Sequence, residues 1–348
     1  MNSIRNTSVD QVHWGARNKI NNYVIHGIFV MITLRDVYRA RRLIGSQLPR
    51  TPLIYSRQLS RELGFDVYLK LENLQPTKAF KVRGGLYYAL VRKDEAQKRG
   101  LIAASTGNHA QSVAYAGKVI GTRVVIVMPN GVSRVKVEAV KDLGAEVIFH
   151  GNVFDEALDY AKKLAEKEGM LFVHSTNEPL LYHGVGTMHL EVIEDLPDAN
   201  VVINPIGGGS GAASAVIVYK SIDPSIEVIG VQAEGAPSVY LSLREGRLVS
   251  TGYAKTIAEG LATARAYELP FEILRGRIND VVLVSDDEML RAIKELLITT
   301  GQVAEPAGAA ALAAAMKLRD RLIGKKAVVM VTGGNIDPEL LKKIIEGY

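Results

Sequence analysis

The chain has 348 residues, 47% hydrophobic and 23% charged, enough to bury a sizeable core in one large or two ordinary domains. Its 42 Lys+Arg against 37 Asp+Glu leave a formal charge of +5, spread along the chain without a long basic run, which points away from nucleic acid and suits an anionic small molecule. There is no cysteine, and so no disulfide framework and no thiolate metal site.

From the N-terminus, residues 1–30 are rich in Asn, hold the single tryptophan, Trp14, and read as an appendage or an upstream start. The apolar run Tyr23 to Ile32 is about ten residues, broken by His26 and Gly27, against the ~20 needed to span a bilayer. It carries no A-x-A-like cleavage site, so a cytoplasmic protein is expected. Met31 opens a helical pattern over Thr33–Ile44.

Thereafter short apolar runs alternate with amphipathic patterns. Strands are predicted at Val67–Leu71, Leu101–Ala104, Val124–Met128, Glu146–Phe149, Leu171–His174, Val201–Asn204, Glu227–Gln232, Val281–Val284 and Ala327–Val331. Helices are predicted at Phe80–Val91, His109–Ile120, Arg134–Leu143, Phe154–Glu168, Gly211–Lys220, Asp287–Thr299, Ala307–Leu318 and Pro338–Glu346. Val/Ile-rich strands alternating with helices predict an α/β fold of βαβ units around mostly parallel sheets, buried on both faces.

Four segments carry chemistry. In Lys70-Leu-Glu-Asn-Leu-Gln-Pro-Thr-Lys-Ala-Phe-Lys-Val-Arg-Gly-Gly85, Lys81 lies near a helix start between Phe80 and Val82. Such a setting desolvates an amine and lowers its pKa, as a Schiff-base lysine requires. Ala104-Ser-Thr-Gly-Asn-His-Ala-Gln111 follows a strand and enters a helix, which aims backbone N–H groups at an anion; plain N-capping explains it equally well in isolation. Val201-Val-Ile-Asn-Pro-Ile-Gly-Gly-Gly-Ser-Gly211 is a glycine loop able to close round a phosphate. Ala327-Val-Val-Met-Val-Thr-Gly-Gly-Asn335 puts Thr332 at the carboxyl end of a strand, where α/β sheets hold ligands. The glycine loop has a rival reading: Gly207-x-Gly209-x-x-Ala212 fits a dinucleotide fingerprint, with Glu234 as the ribose acid of a nicotinamide dehydrogenase. That reading leaves the Lys81 and Asn108 segments unexplained.

In this order the four segments resemble the fold type II pyridoxal-phosphate enzymes, the group of threonine and serine dehydratases, close to serine racemase. The resemblance runs from Thr33 to the C-terminus. It implies two open, mostly parallel twisted sheets, with a small domain (99–176) inserted into a large one (31–98 and 177–348), and a homodimer or higher homo-oligomer. Pyridoxal 5′-phosphate is the implied cofactor, carried by Lys81 beside Phe80. Gly207, Gly208, Gly209, Ser210 and Gly211 would cup its phosphate, with Ser210 replacing a family glycine. Asn108 would contact its 3′-oxygen and Thr332 its pyridine nitrogen, with Glu305 near the ring. Ser105, Thr106, Gly107, Asn108 and His109 would clamp the substrate carboxylate, His109 chiefly through its backbone.

The implied reaction is dehydration and deamination of L-threonine, and of L-serine, with Lys81 as base and Thr106 and Ser210 as further catalytic candidates. A role in isoleucine biosynthesis follows from such a product. Feedback control through an additional C-terminal domain is not expected of a chain ending at Tyr348. Serine racemisation is the runner-up, because Thr106 supplies a hydroxyl where racemases use one as second base. No firm metal site is expected: Glu234 matches one acid of the racemase cation site, but Tyr240 stands near the second. Gly184-Val-Gly-Thr187 departs from the family's G-Q-G-T. A protein that binds the cofactor and senses amino acids without turnover is the non-enzymatic alternative.

Overall fold

A computed structural model describes residues 22–25 and 28–347. In chain order its elements are β1 (Asn22–Ile25), β2 (Ile28–Met31), α1 (Leu34–Ile44), β3 (Leu53–Tyr55), α2 (Arg57–Leu63), β4 (Asp66–Leu71), α3 (Lys81–Val91), α4 (Lys93–Arg99), β5 (Leu101–Ala104), α5 (Asn108–Ile120), β6 (Val124–Met128), α6 (Arg134–Lys141), β7 (Glu146–Phe149), α7 (Phe154–Glu168) and β8 (Leu171–Phe172). They continue with α8 (Pro179–Asp195), β9 (Val201–Pro205), α9 (Ser210–Ile222), β10 (Glu227–Ala233), α10 (Ser238–Glu245), α11 (Glu268–Leu274), β11 (Asp280–Val284), α12 (Asp286–Thr300), α13 (Pro306–Lys317), α14 (Arg319–Leu322), β12 (Lys326–Val331) and α15 (Pro338–Glu346).

Two sheets carry the fold. The larger has the order β11-β10-β9-β12-β4-β3, parallel throughout except for β3, which runs antiparallel to β4 at one edge. The smaller, β7-β6-β5-β8, is entirely parallel. The central strands β5, β6 and β9 are buried along their whole length, as a sheet covered by helices on both faces requires. The expected pair of mostly parallel sheets is therefore present, with the smaller one built from residues 101–172.

Several elements differ from the sequence reading, each for a local reason. The strand expected over Leu171–His174 stops at Phe172, because the His174 ring turns the chain: its Nδ1 accepts from the amides of Thr176 (3.0 Å) and Asn177 (2.9 Å). Met31, expected to open a helix, ends β2. The first helix begins at Leu34, where Thr33 caps it by donating its amide and hydroxyl to Asp36 Oδ2 (3.0 and 2.7 Å). Of the expected N-terminal appendage (1–30), residues 22–25 pair antiparallel with residues 28–31, and residues 1–21, including Trp14, and 26–27 lie outside the described residues. The longest helix, α8, has no counterpart among the predicted elements. It buries residues on every side, from Leu181 to Val192, so it carries no amphipathic stripe to read.

Helix α3 is likewise enclosed, with every residue from Val82 to Ala89 buried. It is wedged between α5 and α8 by missing side chains. A Cβ on Gly85 would stand 2.2 Å from Ser112 Oγ of α5, and a Cβ on Gly184 of α8 would stand 2.2 Å from the Arg83 carbonyl oxygen. The second obstacle is backbone and cannot rotate away. We therefore expect Gly184→Ala to lower unfolding free energy by about 1–3 kcal/mol, the usual cost of overpacking. Chemical denaturation checks this; an unchanged midpoint would contradict the packing described.

Candidate active site

The site is assembled where three strand ends enter helices. The chain before α3 is pinned to the exit of β12. Phe80 N donates to Thr332 O (3.1 Å), Gly334 N donates to Lys78 O (2.8 Å), and Ala79 bridges Gly333. Lys78 takes a left-handed conformation to make this approach, with φ of 54°. Lys81 follows as the first residue of α3. Its Nζ donates to Ser210 Oγ (3.0 Å) and lies 3.4 Å from the Ser175 carbonyl oxygen and 5.3 Å from the centre of the Phe80 ring. Burial lowers the amine's pKa to about 8. The amine therefore gives up its proton more readily than an ordinary lysine.

Ser210 opens α9 after the glycine loop that leaves β9. The loop is walled from outside. A Cβ at Gly207 would meet Gly260 O at 2.0 Å, and one at Gly209, whose φ is +105°, would meet Pro270 Cβ at 2.7 Å. Gly208 lies against Thr176, and Gly211 against Asn204. Only hydrogens fit at these points. The first amides of α9 lack helical acceptors and face the loop's mouth, an arrangement suited to a phosphate dianion.

The third edge is the turn from β5 into α5. Ser105 Oγ accepts from Gly107 N (3.2 Å). Asn108 opens the helix and bridges two other segments: its Nδ2 donates to Glu305 Oε1 (2.6 Å), and its Oδ1 accepts from Asn335 Nδ2 (2.7 Å). Glu305 caps α13, and its amide donates to Gly333 O (3.0 Å). Burial raises the Glu305 carboxyl to about 7, against the opposing hydrogen bond from Asn108. Thr332 is buried at the end of β12, its Oγ1 3.4 Å from Ala307 O. Thr106 is half-buried in the same turn. His109 points away from it: its buried ring meets Val173 O through Nε2 (2.9 Å), and burial, helped by the Lys81 charge, lowers its pKa to about 3. Its side chain is thus a neutral packing group.

The structure brings Lys81, Phe80, the 207–211 loop, Asn108, Glu305 and Thr332 together, with Ser105 to Gly107 in the turn that leads into Asn108. Glu234 lies elsewhere. It is half exposed beside Lys317 of α13 (3.6 Å), so it does not stand as a ribose acid beside the glycine loop.

Sequence reasoning missed what holds the lysine helix. Arg83 is buried two residues after Lys81, with all its donors engaged. Nε and Nη2 bind Glu72 (2.7 and 2.8 Å); Nη1 and Nη2 bind Glu191 (both 2.8 Å); Nη1 also reaches Thr187 Oγ1 (3.0 Å). Lys70, fully buried, adds Nζ to Glu191 Oε2 (2.7 Å) and to Thr51 O (2.7 Å). Burial raises the Glu191 carboxyl and Arg83 and Lys70 more than offset it, leaving it below its ordinary value. The signal was a set of charges inside apolar runs: Lys70, Glu72, Arg83 and Glu191. The Gly184–Thr187 segment also gains a purpose here, since Thr187 accepts from Arg83.

A narrow loop at a helix N-terminus, walled so that only glycine fits, faces a desolvated amine: this donor set fits an aldehyde cofactor bearing a phosphate. Residues 45–333 match the model of the family described as pyridoxal-phosphate dependent enzyme, and the chain belongs to that family. It is pyridoxal-phosphate-dependent, with an α/β fold of the second structural type. It is 42% identical to the L-threonine ammonia-lyase of Thermotoga maritima over 90% of this chain and 78% of that one. Its structure is similar to a threonine deaminase from T.th., with TM-score 0.84, 36% identity and 88% and 99% of the two chains covered. It is also similar to maize serine racemase, with TM-score 0.85, 29% identity and 90% and 97% covered.

Two outcomes follow from the buried charges. Arg83→Met leaves the buried Glu72 without its bonded cation, while Glu191 keeps Lys70 and Arg41, and we expect a loss of about 3–5 kcal/mol in unfolding free energy; a loss under about 1 kcal/mol in denaturant titration would contradict the network. Glu305 binds its proton more tightly folded than unfolded. Its contribution is therefore present below the unfolded value of about 4.5 and is lost as pH rises towards about 7. Melting the cofactor-free protein from pH 4.5 to about 7 should show Glu305→Gln gaining on the parent; parallel curves would contradict a buried acid.

Proposed function

We propose that the chain deaminates L-threonine, and L-serine, to 2-oxobutanoate or pyruvate and ammonia. The observation that carries this reading is the Lys81 amine, desolvated and 3.0 Å from Ser210 at the mouth of the glycine loop. The names of the relatives support it, since both the T. maritima protein and the T.th. structure are described by threonine deamination.

The bound cofactor supplies an electron sink that acidifies the substrate's α-carbon. The chain supplies the rest. Lys81 holds the cofactor covalently between turnovers, and its released Nζ takes the α-proton; a pKa near neutrality suits that exchange. The 207–211 loop and the α9 N-terminus would hold the phosphate, and Asn108, fixed between Glu305 and Asn335, would help hold the cofactor's ring. Thr332 would offer the cofactor a hydroxyl where a carboxylate would make a stronger sink, which would favour elimination over transamination. Ser105, Thr106 and Gly107 face the substrate carboxylate. The β-hydroxyl leaves as water, and one water is taken up as the nitrogen departs as ammonia, so the sum is threonine to 2-oxobutanoate and ammonia. Threonine and serine differ by one methyl, worth about 1–3 kcal/mol in an apolar pocket, and both are expected to react.

The domain division at 99–176, a homo-oligomeric state and a cytoplasmic setting belong to the same reading. No helix among the described residues is long and apolar enough to cross a membrane.

The test is release of 2-oxo acid and ammonia from L-threonine by cofactor-saturated protein. We expect turnover, and a loss of at least about a thousandfold in Lys81→Ala, which removes carrier and base together. No 2-oxo acid from either amino acid would overturn the reading. D-serine accumulating faster than pyruvate from L-serine would favour the racemase that Thr106 leaves open.

A further inference from the structure

The cleft is bordered by an ion pair that the reaction above does not use. Lys136 lies in α6, which flanks the smaller sheet, and pairs with Glu259 of the one-turn helix Glu259–Leu261, which belongs to the larger half of the molecule. That turn is part of the site's wall. Its Gly260 carbonyl oxygen stands where a Gly207 side chain would be, and a Cβ on Gly260 would lie 4.0 Å from Glu305 Oε1. The pair therefore spans from the smaller sheet to the backbone that covers the phosphate loop. The charges of both partners reach the Glu305 carboxyl, which agrees with their standing at the crevice. Deeper links join the halves as well: Asn108 with Glu305 and with Asn335, Ser112 Oγ donating to Lys81 O (2.6 Å) where α5 packs on α3, and the edge-on contact of the His174 and Tyr267 rings at 5.6 Å. Lys136 is one-quarter exposed and Glu259 more than half, so this tie can open without unpacking a core.

We propose that Lys136 and Glu259 are positioning residues that hold the smaller sheet against the larger over the bound amino acid, and so set how tightly substrate is retained without entering the chemistry. The inference rests on the deaminase reading for its kinetic arm only. An attraction between partly exposed charges is weakened by salt, whereas the buried contacts of the site are not. Its size is that of an exposed pair, about two- to fivefold in an equilibrium.

The experiment uses the holoprotein and three variants: Lys136→Met, Glu259→Gln, and the charge-reversed double Lys136→Glu with Glu259→Lys. In low salt each single change should raise KM for L-threonine about two- to fivefold with kcat within about twofold. Sodium chloride should raise KM in the parent but not in the single variants. The reversed pair should restore both the KM and its salt dependence. Independently of turnover, amide exchange across Arg134–Lys141 should quicken in each single variant and recover in the reversed pair. Unchanged exchange in the single variants, or exchange that the reversed pair leaves fast, would overturn the clasp. So would KM values that keep the parent's salt dependence after either charge is removed. Should threonine not be a substrate, the function proposal fails and the exchange arm alone decides the clasp.

Discussion

An amine kept out of water at the start of a buried helix is the constraint on which the rest of the structure depends. Lys81 has no carboxylate partner among the described residues; burial alone lowers its pKa. Holding a cation's parent group in such a place is unfavourable unless the backbone beneath it is fixed. Helix α3 is fixed twice, by glycine-mediated contact with α5 and α8 and by the Arg83 cage. The cage itself is a costly device, since two carboxylates and two cations leave water together, and it holds only because the donors and acceptors match. Its members come from β4, the turn after it, α3 and α8, so the cage ties β4 to the helix that carries the lysine.

Around that amine, burial also disfavours the charged forms of Glu305 and His109. Lys81 is lowered towards neutrality and Glu305 raised towards it, while His109 is held neutral by the same cause. The N-termini of α9 and α5 add fixed dipoles to the positive character of the site, and these need no proton to act. A phosphate and a carboxylate can be held by such dipoles while the lysine remains free to exchange its proton. Asn108 links the two halves at this point, tied to Glu305 and Asn335 from the far side of the crevice.

Much of this was legible in the sequence because it lay in continuous segments. β5, β6, β7 and α7 begin and end where the apolar periodicity placed them, and the glycine loop, the Asn108 turn and Lys81 were found by residue type and order. What escaped depends on distance along the chain. Glu191 meets Arg83 across more than a hundred residues, and nothing in either segment names its partner. Helices α3 and α8 are buried all round and show no polar face, so one was found through its motif and the other not at all. Glu234 shows how little spacing alone decides: it suited the rival ribose-acid reading, yet its side chain lies beside Lys317. Gly260 and Thr176, which wall the loop, come from turns with no periodicity to mark them.

The most direct test of this account is to reduce the cofactor-saturated protein with borohydride and map the modified peptide by mass spectrometry. The account predicts a single pyridoxyl group on Nζ of Lys81, absent when the cofactor is withheld. A label on another lysine, or none on saturated protein, would contradict it.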